Sequence, residues 1–106
     1  MASERVFLSN FRAKVVARFP GCFYYKIPDT GPLGGKKPFD VILMFRGVTF
    51  AIEAKRDSKQ KPTDIQMYGL KQAAMNGAVS LILNPENEKD TLAYIEEIAN
   101  GRTEET

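Results

Sequence analysis

The chain has 106 residues, a formal net charge of +2, one cysteine and no histidine. This length predicts a single domain with one core, and a hydrophobic fraction of 43% without a long apolar run indicates a soluble protein with no membrane span. The lone Cys22 excludes an intrachain disulfide and a cysteine-based zinc site, and the lack of histidine excludes histidine bases and histidine-bound metals. The first residues do not resemble a secretory signal, so we expect a cytoplasmic location.

Charge is unevenly distributed along the chain. Basic residues dominate before residue 62, and acidic residues dominate after residue 85. A basic surface suits a polyanion such as DNA or RNA, although a solvated surface with an acidic tail explains the same pattern.

Residues 3–18 predict an amphipathic helix. Ser3 suits the N-cap, and the apolar positions recur at helical spacing at Phe7, Phe11 and Val15. Glu4 falls in the first turn, where an acidic side chain offsets the helix dipole.

The aromatic stretch at residues 22–27 predicts a strand with Tyr24 and Tyr25 on opposite faces. One of them would then pack in the core while the other is exposed to water or binds substrate, and core packing is the safer assumption for each. Residues 28–38 hold three prolines and three glycines and predict a loop. Lys36 and Lys37 in this loop could clamp a phosphate or could be solvated. The Walker A pattern is not satisfied, so no nucleotide cofactor is predicted.

Two apolar runs, residues 39–45 and 48–55, predict a hairpin that turns at Arg46-Gly47. A two-residue loop would set Asp40 opposite Glu53, with Cβ atoms roughly 4.5 to 5.5 Å apart, and Lys55 on the same face. A three-residue loop would instead place the two acids on opposite faces.

Two facing carboxylates repel unless a cation or a proton lies between them. Carboxylate oxygens are the ligands that Mg²⁺ prefers, and Lys55 could position a water or neutralise charge on a phosphate. The hairpin therefore predicts a site for a hard metal.

Residues 56–62 form a polar, basic connector, and residues 63–76 predict a helix with Ile65, Tyr68 or Gly69, and Gln72 or Ala73 on its inner face. Thr63 and Gln66 fit a capping box. Residues 78–83 predict a buried strand, and Asn84-Pro85 predicts the start of a last helix that ends near Asn100. Residues 101–106 predict a flexible acidic tail after a single domain at residues 1–100.

The pattern Pro38-Phe39-Asp40 followed by Glu53-Ala54-Lys55 resembles the signature of the PD-(D/E)XK nuclease superfamily, and the small size with Gln66 on a helix is most similar to its VRR-NUC and Holliday junction resolvase branches. Here Phe39 separates the proline from the acid. The resemblance implies an α/β fold of the restriction-endonuclease type, with an αβββαβ core, a mixed sheet flanked by helices and a C-terminal helix.

The resemblance also implies the site. Its metal ligands would be Glu4, Asp40, Glu53 and the carbonyl of Ala54. Its catalytic residues would be Asp40, Glu53, Lys55 and Gln66, with Mg²⁺ as cofactor and Mn²⁺ as a substitute. Nucleic-acid contacts are expected from Lys36, Lys37, Arg56 and Lys59.

The function so implied is a Mg²⁺-dependent endonuclease that hydrolyses DNA phosphodiester bonds, selective for branched DNA such as Holliday junctions. Two symmetric cuts would require a homodimer. Its contact surface would be the exposed apolar positions Val6 and Val16 of the first helix, or the last strand if that strand lies at a sheet edge. The alternatives are a catalytically inactive nucleic-acid-binding module and a less selective DNA or RNA nuclease. A structural protein in which Lys55 bridges the two acids is a further one.

Overall fold

The computed structural model of the protein describes residues 3–28 and 37–104, and the side chains as far as residue 101. The elements follow the predicted order and are α1 (Glu4–Arg18), β1 (Phe23–Lys26), β2 (Val41–Phe45), β3 (Val48–Ala54), α2 (Asp64–Met75), β4 (Val79–Leu83) and α3 (Glu88–Glu104). The first three strands are antiparallel, and β4 lies parallel to β3. The predicted mixed sheet is therefore confirmed, with strand order β1-β2-β3-β4.

The hairpin between β2 and β3 has the predicted register. Phe45 pairs with Val48, and Val41 pairs with Ile52. Arg46 and Gly47 both have positive φ angles, 52° and 78°, as a two-residue turn of type I′ requires. The three-residue loop is thus wrong, and the turn fixes which side chains of β3 share a face with which side chains of β2.

The sheet separates two apolar layers. On one face, α1 and α3 cover β2 and β3, with Phe11, Leu43 and Ile95 at the centre of the core. On the other face, α2 packs Leu70 against Ala51 and Phe39. Glu53 and Lys55 alternate with the core residues of β3 and therefore lie on the α2 face.

Both predicted helix caps are confirmed. Ser3 accepts the amide of Val6 at 3.2 Å, and Thr63 forms a complete capping box with Gln66. The start of the last helix was predicted too early. Asn84 and Asn87 exchange amide-to-side-chain bonds of 2.8 and 2.9 Å in a turn, so α3 begins only at Glu88 and continues to Glu104, past the predicted end.

Several burial predictions were wrong. Ile65, predicted on the inner face of α2, is exposed. Of the alternatives that the sequence left open there, Gly69 and Ala73 pack toward the sheet, together with Leu70, whereas Tyr68 and Gln72 are exposed. Tyr24 packs against the core, whereas Tyr25 is exposed and stacks on Phe23. One tyrosine is therefore in the core and the other exposed, as their opposite faces predicted, and core packing of both was wrong.

The last strand, β4, is an edge strand that buries only Leu83 fully, although a buried strand was predicted. None of the helices in the described part of the chain combines the length and apolar character needed to cross a membrane.

Candidate active site

Asp40 lies just outside the β2–β3 ladder. Its amide donates to the Ile52 carbonyl at 3.0 Å, and Ile52 is already paired with Val41, so two residues face one as in a β-bulge. The predicted direct pairing of Asp40 with Glu53 is therefore wrong in detail. The bulge turns the Asp40 carboxylate toward β3, where Oδ2 accepts the amide of Ala54 at 2.8 Å.

Glu53 is the most deeply buried ionisable side chain of the site, with an exposed fraction of 1%. Its Oε2 lies 3.3 Å from Nζ of Lys55, whereas its Oε1 is buried with no hydrogen-bond partner among the described residues. Burial, and then the negative charge of Asp40, raise the pKa of Glu53 to about 7, against the opposing effect of Lys55. The two predicted acids thus act on one another across the end of the hairpin.

Lys55 is buried beside Glu53 and is held by the second helix. Its Nζ donates to Oε1 of Gln66 at 3.0 Å, and its backbone amide donates to the Leu83 carbonyl of β4 at 2.7 Å. Oε1 of Gln66 also accepts the amide of Thr63 at 2.9 Å. Gln66 therefore closes the predicted capping box and also contacts Lys55, whereas the catalytic role implied by the resemblance stays a prediction.

Glu4 meets Asp40 across a small cleft at the start of α1. A cavity of about 200 Å³ opens there. Its lining residues are Glu4, Arg5, Leu8, Lys26, Asp40 and Ala54. Three of the four predicted metal ligands therefore line one cleft, and the fourth, Glu53, does not line it.

The donor set suits a hard cation, because it consists of carboxylate oxygens and a backbone carbonyl. The unpartnered Oε1 of Glu53 is the kind of buried acceptor that a cation would satisfy. Within residues 3–28 and 37–101, however, no three His, Cys, Asp or Glu side chains are grouped closely enough to hold a metal ion. The four-ligand set implied by the resemblance thus stays a prediction.

The predicted nucleic-acid contacts have separate surroundings. Lys36 lies outside the described residues. Lys37 turns inward, with Nζ 2.9 Å from Oδ1 of Asp40 and 3.3 Å from the Ile27 carbonyl. Arg56 and Lys59 are exposed in the connector after β3, where the Asp57 carboxylate accepts the Lys59 amide at 2.9 Å and fixes a turn.

The sequence interpretation missed two residues that line this cleft and gave Gly69 only as an alternative on the inner face of the second helix. Lys26 and Arg5 line the cleft, and Gly69 of α2 abuts Pro38, two residues before Asp40. The available signal for Gly69 was a glycine inside a helical pattern, a position that usually has a packing reason.

A larger cavity, of about 890 Å³, lies at the opposite end of the sheet. It is bordered by the Gly47 turn, by the end of α2 at Asn76 and by Asn100 of α3. None of the predicted site residues lines this larger cavity. We therefore place the candidate active site at the smaller cleft, because its side chains can carry the chemistry.

Together, three helices and a four-stranded mixed sheet with acidic residues at the end of the central hairpin define an α/β protein of the restriction-endonuclease-like type. A structure described as a VRR_NUC domain superposes on this chain with a TM-score of 0.66 and 19% sequence identity, over 88% of this chain and 97% of that one. The fold is therefore VRR-NUC-like. A scan of the sequence against protein-family models found no match, and neither did a search of curated proteins.

Proposed function

We propose that this protein is a Mg²⁺-dependent endonuclease that hydrolyses phosphodiester bonds in DNA. The observation that carries the proposal is Glu53, a buried carboxylate with one oxygen that has no partner among the described residues, next to a second carboxylate and the buried ammonium of Lys55. Burying such charges costs several kcal/mol per ion unless they are fully paired. A bound cation would satisfy the remaining oxygen and cancel the repulsion, and the VRR-NUC-like fold supports a nuclease.

Each residue has a role that follows from its contacts. Asp40, Glu53, Glu4 and the Ala54 carbonyl would hold Mg²⁺, with Mn²⁺ as a substitute. When bound, the metal would polarise a phosphate oxygen and lower the pKa of a water. Lys55 directs two of its three N–H groups to Glu53 and Gln66, which leaves one to orient a water or contact the phosphate.

The competing proposals are less consistent with this geometry. A structural ion pair on the surface would contribute only roughly 0 to 1 kcal/mol, but Glu53 and Lys55 are buried, with exposed fractions of 1% and 9%. An inactive binding module would gain affinity by replacing the carboxylates with neutral or basic residues. A less selective DNA or RNA nuclease of the same fold would share this site, so substrate digestion must distinguish it.

The decisive experiment is digestion of end-labelled linear, flapped and four-way DNA, and of RNA, in Mg²⁺, Mn²⁺ or EDTA. We expect cleavage of DNA with either metal and none in EDTA. Glu53→Gln should be inactive, whereas Glu96→Gln, which alters a surface ion pair with Arg18, should cut like the wild type. Equal cleavage by both variants, or cleavage in EDTA, would refute the proposed site.

We further propose a homodimer that acts in the cytoplasm and prefers branched DNA. Two symmetric cuts require two active sites, which a twofold dimer supplies. Val6 and Val16 are half-exposed on α1, and β4 is a sheet edge with Ile82 exposed; both surfaces are available for such a contact. Sedimentation at micromolar protein should give a dimer, and four-way junctions should be cut faster than linear duplex. A monomer that cuts both equally would leave the nuclease and remove this selectivity.

A further inference from the structure

Gly69 makes the closest approach between α2 and the chain that leads into Asp40. A Cβ atom built on Gly69 would lie 2.4 Å from the Cβ of Pro38, 2.7 Å from its carbonyl oxygen and 2.8 Å from its Cα. Two of these three atoms belong to the backbone, so a side-chain rotation cannot relieve the overlap. Glycine is among the least favourable residues inside a helix, and here only glycine leaves room for Pro38.

The residues on either side of Pro38 are also anchored. Phe39 is buried with Leu70 of α2 and Ala51 of β3, and Nζ of Lys37 donates to the Ile27 carbonyl at 3.3 Å. Asp40 follows Phe39 directly in the chain, and its amide donates to the Ile52 carbonyl outside the regular ladder of β2 and β3. The path of the chain into the bulge is therefore set by contacts with α2 as well as by the sheet.

We propose that Gly69 is a positioning residue for Asp40. Pro38 packs into the space left by the absence of a side chain at Gly69. This contact keeps the Asp40 carboxylate against the Ala54 amide and beside the cleft with Glu4. Gln66 lies three residues earlier and thus on the same face of α2, where it holds Lys55. One helix would then fix both the acidic ligand and the lysine. The inference rests on the proposed function for the use of Asp40 as a metal ligand.

The test compares Gly69→Ala with Gly101→Ala, a glycine in α3 where an added Cβ meets no atom of the described residues within 4 Å. The readout is amide hydrogen exchange by NMR in EDTA. Protection of the Ala54 amide, which depends on Asp40, should fall about tenfold or more in Gly69→Ala. The Lys55 amide, which bonds to Leu83 in β4, is the internal reference and should stay within about twofold. Gly101→Ala should change neither.

A second readout is Mn²⁺ affinity measured by electron paramagnetic resonance, together with DNA affinity in EDTA. Gly69→Ala should weaken Mn²⁺ binding at least about fivefold and leave DNA affinity within about twofold. A merely structural loss would affect both. Wild-type Ala54 protection combined with wild-type Mn²⁺ affinity in Gly69→Ala would overturn the inference.

If Gly69→Ala does not fold, Pro38→Gly removes the proline ring from the other side of the same contact. It should show the same selective loss at Ala54, and an unchanged Ala54 amide in that variant would overturn the proposal. A wild-type protein that binds no Mn²⁺ and cuts no nucleic acid would refute the proposed function instead. The amide experiment, which needs no metal, would still decide whether Gly69 positions Asp40.

Discussion

Replacing Glu53 with Gln should change how the stability of the metal-free protein depends on pH. Burial and the Asp40 charge raise the pKa of Glu53 from its ordinary 4.5 to about 7. Between these values the unfolded chain loses the proton while the folded protein keeps it. Folding stability therefore falls as pH rises from about 4.5 to about 7 and is then constant with respect to this group.

The magnitude follows from the two pKa values. Each unit of difference corresponds to about 1.4 kcal/mol, and integration between pH 5 and pH 8 gives a loss of about 2.5 kcal/mol in the wild type. Glutamine keeps the shape of the protonated acid and cannot ionise, so Glu53→Gln should lack this loss. The difference in unfolding free energy between variant and wild type should thus shift by about 2.5 kcal/mol in favour of the variant between pH 5 and pH 8.

Urea denaturation followed by circular dichroism, in EDTA at pH 5, 6, 7 and 8, measures this shift. Because only the change with pH is used, any constant cost of the glutamine cancels. Glu96→Gln is the matched control, since it removes a carboxylate that is half-exposed, in an ion pair of 2.7 Å with Arg18, and exposed pairs contribute little to stability. A Glu53→Gln profile parallel to the wild type within about 0.5 kcal/mol would mean that Glu53 titrates normally, and the argument for a desolvated site would fail.

Three further predictions concern the metal and the lysines. Mg²⁺ at about a hundredfold excess over its Kd should stabilise the wild type by about 2.7 kcal/mol and should not stabilise Asp40→Asn, as measured by thermal melts. Equal shifts of the melting temperature in both proteins would exclude Asp40 as a ligand. Lys55→Ala should abolish cleavage in single-turnover assays while DNA affinity stays within a few-fold of the wild type. The surface variant Lys14→Ala should cleave like the wild type. A wild-type cleavage rate in Lys55→Ala would remove Lys55 from the mechanism. Lys37→Gln removes the ammonium that lies 2.9 Å from Oδ1 of Asp40. Because that ammonium competes with a metal for the carboxylate, the Mn²⁺ concentration for half-saturation should fall by about threefold or more. Weaker Mn²⁺ binding in the variant would show instead that Lys37 supports the site.

The elements with local signals could be predicted from the sequence. The caps at Ser3 and Thr63 satisfy helix amides within three residues, and the turn at Arg46-Gly47 needs only two positive φ angles. The register of β2 and β3 follows from that turn, and the common face of Glu53 and Lys55 follows from the alternation of side chains along the strand. The approach of two acids and a lysine was therefore inferable without knowledge of the fold.

Other features depend on which surfaces meet in the folded chain. Helical periodicity in residues 63–76 allowed several faces, and packing on Ala51 and Phe39 selected Gly69 and Leu70 rather than Ile65 and Tyr68. The position of β4 at an edge likewise depends on the parallel crossover through α2. A sequence pattern fixes spacing along an element but not the direction from which a distant element approaches it.

The details of the site also depend on which surfaces meet in the folded chain. Asp40 leaves the ladder because the preceding segment is held by contacts remote in sequence, with Gly69 of α2 against Pro38 and Phe39 in the second apolar layer. Lys37 then reaches Asp40 instead of solvent. The sequence by itself determined which side chains could carry the chemistry, because local turns and alternation fix them. Only tertiary packing decided their distances and the raised pKa of Glu53, because these depend on burial and on neighbours far along the chain.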